Sequence, residues 1–193
     1  MTAPALSTTT RSWNDIAIPA PGTFVIDPAH TRVGFVARHL MVSKVRGSFT
    51  GVTGEVTVAE DPTDSSVTAI MDAATITTGA PDRDAHLRGA DFLDVETYPT
   101  LTFRSKRLAD QDETSFTVIG DLTIKDVTRE VALRVEFEGV AVNPWGKEVA
   151  AFTARTEIDR EDFGITWNVA LETGGVLVGR KVTIEIEAQA VRQ

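Results

Sequence analysis

Apolar and polar residues alternate with a period of two along most of the chain from Thr23 onward. Val33, Phe35, Ala37 and His39 share one face of an extended segment, with Arg38 on the other. Leu101 and Phe103 alternate with Thr102 and Arg104, and Phe116, Val118, Gly120, Leu122 and Ile124 alternate with Thr117, Ile119, Asp121 and Thr123. The same rhythm runs through Val131, Leu133, Val135 and Phe137, and again through Val182, Ile184, Ile186 and Ala188. This alternation predicts strands with one face against apolar surroundings and the other in water. With the segments near 45–59, 66–78 and 148–159, about eight or nine strands are expected. Turn chemistry separates them at Glu60–Asp64, Ala109–Glu113 and Asn143–Gly146. Connections this short favour antiparallel neighbours.

One segment breaks the rhythm. Asp82-Arg83-Asp84-Ala85-His86-Leu87-Arg88 follows Pro81 and lacks β-branched residues, which predicts a short helix with Asp82 as its N-cap. Leu87, Phe92 and Leu93 are its expected buried contacts. Residues 1–22 are small, polar and punctuated by Pro19, Pro21 and Gly22, and are read as a flexible N-terminal arm ahead of a domain spanning 23–193. Trp13 and Ile16 are candidate anchors of that arm. One-sided strands without helices to cover them must close on themselves or pair as two sheets. An all-β, antiparallel up-and-down barrel is the first expectation, and a Greek-key sandwich the alternative.

Composition narrows the function. At 193 residues the chain suits one large domain. A net charge of −9 argues against a nucleic-acid partner, which needs a concentrated basic surface. The absence of cysteine excludes disulfides, thiolate metal sites and a Cys nucleophile. No apolar run is long enough for a membrane-spanning helix, and the N-terminus lacks a secretory pattern, so a soluble cytoplasmic protein is expected.

The inward set mixes large residues (Phe35, Phe49, Met71, Phe103, Phe116, Leu122, Phe152) with small ones (Ala37, Gly47, Ala69, Ala73, Gly120, Ala154). An eight-stranded barrel is just wide enough to be filled by side chains or to hold one small ligand. Small inward residues can signal free volume for a hydrophobic guest, or can merely fit the taper of a filled barrel. Catalytic templates are missing: there is no Gly-x-Ser-x-Gly elbow, His-Glu-x-x-His, P-loop or dinucleotide fingerprint. His30, His39 and His86 do not have metal-site spacing, so no metal is expected. Asp84 and His86 point apart on a helix, and are read as ties to nearby strand ends or as contacts to a ligand's head. Asp159-Arg160-Glu161-Asp162 reads as a solvated turn, or as an Arg held by carboxylates.

Several strings then become familiar together. Ile26-Asp27-Pro28-Ala29-His30-Thr31-Arg32-Val33-Gly34-Phe35 is followed by His39, Ser43, Val45, Gly47 and Phe49. Ile76-Thr77-Thr78-Gly79 precedes Arg83-Asp84-Ala85-His86-Leu87, Asp91-Phe92-Leu93-Asp94-Val95 and Tyr98-Pro99-Thr100. Gly120-Asp121-Leu122-Thr123-Ile124-Lys125-Asp126-Val127-Thr128-Arg129 and Asp159-Arg160-Glu161-Asp162-Phe163-Gly164-Ile165 complete the set. In this order and spacing, from Thr23 to Arg192, the chain resembles the YceI-like family. The resemblance implies a lipocalin-like antiparallel up-and-down β-barrel of about eight strands with one short helix near an opening. It also implies an elongated pocket for long isoprenoid chains or related amphiphiles, with no enzymatic activity established for the family as a whole.

On matching segments the resemblance places Phe35, Phe49, Phe92, Phe103 and Phe152 in that pocket. Met71, Phe116, Leu122 and Trp167 are added from alternation or proximity. His39 is a candidate polar contact inside the barrel, or else a histidine bonded only to a neighbouring strand. Many members carry a secretory leader where this chain has a polar arm, and Arg180-Lys181 stand where an acidic residue is common. The leading expectation is a binding protein for a polyprenyl phosphate or an isoprenoid quinone, with no cofactor beyond the bound lipid. The alternatives are an enzyme acting on such a lipid through His39 or the Arg83–His86 group, and an interaction scaffold. A homodimer stays open.

Overall fold

The computed structural model describes residues 10–111, 115–172 and 174–193. Twelve strands and one α-helix are present among them. β1 (Thr10–Trp13) and β2 (Ile16–Pro19) form a separate hairpin, closed by Asn14 and Asp15, both with positive φ. Asn and Asp tolerate that conformation better than other side chains, which suits them to a two-residue hairpin turn. The remaining strands are β3 (Gly22–Ile26), β4 (Arg32–His39), β5 (Ser43–Phe49), β6 (Val52–Val58), β7 (Ser66–Asp72) and β8 (Thr100–Gln111). They continue with β9 (Ser115–Ile124), β10 (Val127–Val142), β11 (Glu148–Asp159) and β12 (Val178–Arg192).

These ten strands make one closed antiparallel barrel. β12 pairs along one edge with β11, and along the other with β4 and then β3. β3 and β4 are thus two halves of one barrel strand, interrupted by the turn Pro28–His30, which Asp27 caps by accepting from the Ala29 amide at 2.9 Å. β5 and β6 are likewise two halves of the next, broken at Thr50 and Gly51. Counted this way the barrel has eight strands, each beside its sequence neighbours, and β12 returns to the first. This is the lipocalin-like up-and-down barrel expected, and the sandwich is excluded.

Part of the segment assigned to an arm forms this hairpin, with Ile16 and Ile18 each 5% exposed. The hairpin docks on the barrel through the Arg11 guanidinium, which donates to the carbonyls of Ala59 and Glu60, and through an edge contact of Trp13 with Phe116. Residues 1–9 of that arm lie outside the described residues, as do 112–114 of the turn expected at Ala109–Glu113.

The helix, α1 (Pro81–Arg88), sits at the opposite end. Its N-cap is Ala80, with Pro81 as the first helical residue, so Asp82 falls in the first turn rather than at the cap. Proline needs no amide partner at that position, which fixes the start two residues earlier than the acidic pattern suggests. The helix has little apolar face and is instead tied down by polar groups. Asp84 accepts from the Thr78 amide at 2.8 Å, from the Thr77 hydroxyl at 3.0 Å and from the Thr78 hydroxyl. Arg88 donates to the carbonyls of Ala74 and Ile76, both at 2.8 Å.

Candidate functional site

Inside the barrel lies a cavity of about 340 Å³ that runs from the β1–β2 hairpin to the α1 end. Every strand of the barrel contributes to it through its inward phase. Val33, Phe35 and Ala37 come from β4, Phe49 from β5, and Val52, Val56 and Val58 from β6. Ala69 and Met71 come from β7, Leu101 and Phe103 from β8, and Phe116, Val118, Leu122 and Ile124 from β9. Val131, Leu133 and Val135 on β10, Phe152 and Ala154 on β11, and Val182, Ile184 and Ile186 on β12 close the wall. Phe92, Leu93 and Leu87 line the α1 end, while Trp13, Ile18, Pro19 and Pro62 line the hairpin end.

The candidates Phe35, Phe49, Met71, Phe92, Phe103, Phe116, Leu122 and Phe152 are therefore brought together around one lumen. His39 is not. It is half-buried at the end of β4, outside the lining, where the inward phase runs out into a turn. Trp167 also lies outside the lining. It packs behind Phe92 at a ring-centroid distance of 5.3 Å and edge-on to His86 at 4.7 Å. Trp167 thus supports a lining residue from outside.

Two inward glycines do not leave space. A Cβ on Gly47 would lie 2.3 Å from the Phe35 ring, and one on Gly120 would lie 2.5 Å from the Phe103 ring. Both rings lie over backbone, so these positions narrow the lumen instead of widening it. The free volume comes from the arrangement of the larger apolar residues around the axis.

Among the described residues the lining has one charged side chain, Arg160, only 4% exposed. Its guanidinium donates to the carbonyls of Ile165 at 2.7 Å, Trp167 and Gly179 both at 3.0 Å, and Val178 at 3.3 Å. This corrects both readings of the 159–162 segment: Arg160 is neither solvated nor hydrogen-bonded to carboxylates. Burial pulls its pKa down, opposed by the charges of Glu161 and Asp159, and it remains a cation. The carboxylates of Asp159 and Glu161 instead hold Arg180, at 2.9 and 3.0 Å. Arg160 knits the 160–178 connection to itself and closes that end of the lumen.

The other histidines stand apart from the lumen. His30 meets Asp27 at 2.7 Å and His86 meets Asp91 at 2.9 Å, both at the surface. The His30 bond comes first among the causes that hold Asp27 below the usual carboxylate range. Among the described residues no group of three His, Cys, Asp or Glu side chains is placed to hold a metal ion. Two of the hydroxyls that border the cavity serve the backbone: Ser105 accepts from the Val67 amide at 2.8 Å, and Thr31 accepts from the Gln189 amide at 3.2 Å.

Sequence reasoning missed Trp13, Ile18 and Pro19 as lining residues, because a polar segment precedes them. The signal was present: Trp13, Ile16 and Ile18 flank an Asn-Asp turn, a hairpin signature. It missed Arg160 because nothing local distinguishes an arginine that caps carbonyls from one in a solvated turn.

An antiparallel barrel closed around an apolar lumen, with a helix over one end and a hairpin over the other, defines a lipocalin-like class of protein. Within that class the chain belongs to the YceI-like family, whose domain model matches residues 24–190. It is 40% identical over 170 residues to the UPF0312 protein SA2479 of Staphylococcus aureus strain N315, covering 86% of this chain and 95% of that one. Among solved structures it is similar to a Campylobacter jejuni YceI protein, at 26% identity and a TM-score of 0.68, over 81% of this chain and 90% of that one. Burkholderia cenocepacia BcnA shares the fold at 22% identity and a TM-score of 0.74, over 85% and 98% of the two chains. A polyisoprenoid binding domain from Saccharophagus degradans shares it at 12% identity and a TM-score of 0.66, over 90% and 100%.

Proposed function

We propose that this protein binds a long-chain isoprenoid or related amphiphilic lipid, such as a polyprenyl phosphate or an isoprenoid quinone, along the axis of its barrel. It acts as carrier, store or sensor and not as a catalyst. The observation that carries this reading is the lumen itself: a continuous apolar chamber in which, among the described residues, Arg160 is the only charged side chain. Each five-carbon isoprene unit buried there gains on the order of 3–4 kcal/mol before ordering costs. Affinity then needs few polar contacts, which fits a site without a sharp motif.

Membership of the YceI-like family supports the reading, and so does the barrel of the same fold described as polyisoprenoid-binding. Against turnover stands the chemistry of the wall. Among the described residues no His, Asp, Glu or Lys borders the cavity, so no general base stands beside a guest. The test is solvent extraction of protein purified from its native source, followed by mass spectrometry. A stoichiometric long-chain isoprenoid is expected, and protein that carries none and takes up none from isoprenoid-loaded detergent would overturn the reading.

A further inference from the structure

The β4–β5 connection is an exposed apolar point on an otherwise acidic molecule. Leu40 is 40% exposed, Met41 49% and Val42 83%. Backbone bonds from the Leu40 amide to Leu177 and from the Leu177 amide to Val169, both 2.9 Å, set the exposed Val169 beside this tip. The turn is built against its own side chains. Leu40 and Met41 have φ of 53° and 63°, while the Val42 amide donates to the His39 carbonyl at 3.2 Å. Two consecutive positive φ values mark the hairpin turn that Asn-Gly normally occupies. The two-residue turn of the β1–β2 hairpin, with the same pair of positive φ values, does use Asn14 and Asp15, whereas the β4–β5 connection spans three residues. At the β4–β5 tip strained backbone is kept with apolar residues that remain 40–83% exposed, so a use for them outside the fold is implied.

Charge along the two strands that carry the tip has the opposite sign to the whole, although the neighbouring 169–177 loop adds the exposed Glu172. The chain carries 28 acidic residues, yet none falls between Pro28 and Gly54, where Arg32, Arg38, Lys44 and Arg46 stand. Arg38 and Lys44 are cross-strand partners one residue back from the turn, and Arg46 pairs with Val36 two residues further along β5. All three cations are exposed, and among the described residues none is in an ion pair with a carboxylate. Arg180 and Lys181 on β12, by contrast, are neutralised by Asp159, Glu161 and Glu157.

We propose that the Leu40-Met41-Val42 tip and its collar of Arg38, Lys44 and Arg46 dock the barrel on an anionic lipid bilayer. The apolar tip enters the interface and the cations lie at the level of the headgroups. The inference goes beyond lipid binding in the lumen and stands whether or not the lumen is loaded.

Co-sedimentation of the full chain with vesicles tests it. Binding is expected to phosphatidylcholine vesicles containing phosphatidylserine, weakly or not at all to phosphatidylcholine alone, and to fall with added salt. Removing one cation should weaken binding about fivefold, and the triple change Arg38→Ser, Lys44→Ser, Arg46→Ser on the order of 100-fold. The change Leu40→Asn, Met41→Gly, Val42→Thr should abolish docking while raising the melting temperature, because Asn-Gly suits the turn. A wild-type chain that stays in the supernatant with phosphatidylserine vesicles overturns the proposal, and so does a tip variant that binds as well as wild type. Dimers in gel filtration that the tip variant dissolves would overturn it in favour of self-association. Mass spectrometry of the lumen's contents reports separately on the proposed lipid cargo.

Discussion

Replacing Ala154 by Phe asks directly whether the barrel is hollow. Ala154 borders the cavity from β11, beside Val135 of β10 and Ile186 of β12, which border it too. The substitution adds a benzene ring to a chamber of about 340 Å³. In an empty chamber the ring meets apolar walls and removes void, so the ligand-free barrel should gain about 0.5–2 kcal/mol. In a core already filled, the same ring would cost about 1–3 kcal/mol through overpacking. A guest would lose room for roughly one isoprene unit, or about 3–4 kcal/mol of gross burial, so affinity should fall about 100-fold or more. Urea unfolding of delipidated Ala154→Phe protein, with isoprenoid retention measured in parallel, reads both effects. Stability and retention should move in opposite directions. A destabilised variant that still retains its lipid would refute the account of the lumen.

Two further changes test the supports of the site. Asp84→Ala leaves the Thr78 amide and the Thr77 and Thr78 hydroxyls without their acceptor, and should cost about 2–4 kcal/mol in urea unfolding, whereas Asp84→Asn keeps the shape and should cost about half that. The Thr78 hydroxyl, ahead of its amide and the Thr77 hydroxyl, holds the Asp84 carboxyl below its ordinary range, so its contribution is full above the unfolded value of about 3.9 and fades as pH falls below it. Asp84→Asn should remove that part of the acid dependence, and an unchanged acid transition would count against it. Gly120→Ala brings a Cβ within 2.5 Å of the Phe103 ring and 2.6 Å of the Arg104 carbonyl oxygen, and should destabilise by about 1–3 kcal/mol. An unshifted melting temperature there would mean the ring does not lie on the glycine.

The barrel was legible because alternation survives wherever a strand has one dry face. The β9 series from Phe116 to Ile124 and the β12 series from Val182 to Ala188 point inward much as the pattern implies, apart from Gly120 under its ring. The pattern misleads where strands break or bulge. On β8 the inward phase slips at the bulge between Ser105 and Arg107, so that Leu108 faces the lumen three residues after Ser105. On β10 Phe137 keeps the register of Val135 yet packs in a smaller cluster around Phe24, Ala150 and Ala190, and the irregularity between Phe137 and Gly139 shifts the phase so that Val140 joins it there. His39 shares the parity of Phe35 but is the last residue of β4, beside the turn and outside the lining. The roles of Gly47 and Gly120 were illegible for another reason: their space is taken by rings from neighbouring strands, a fact of register that no single strand records. The Arg160 cluster is likewise a product of tertiary geometry, since its carbonyl partners extend from Ile165 to Gly179.

The hairpin that seals one end of the chamber precedes the matched span of 24–190, yet it contributes Trp13, Ile18 and Pro19 to the wall. The stopper is therefore a separable part. Lengthening, trimming or re-sculpting it would alter how long a tail the vessel accommodates without touching a single stave. On the proposed function, the size of cargo is then set at the rim and not by the staves.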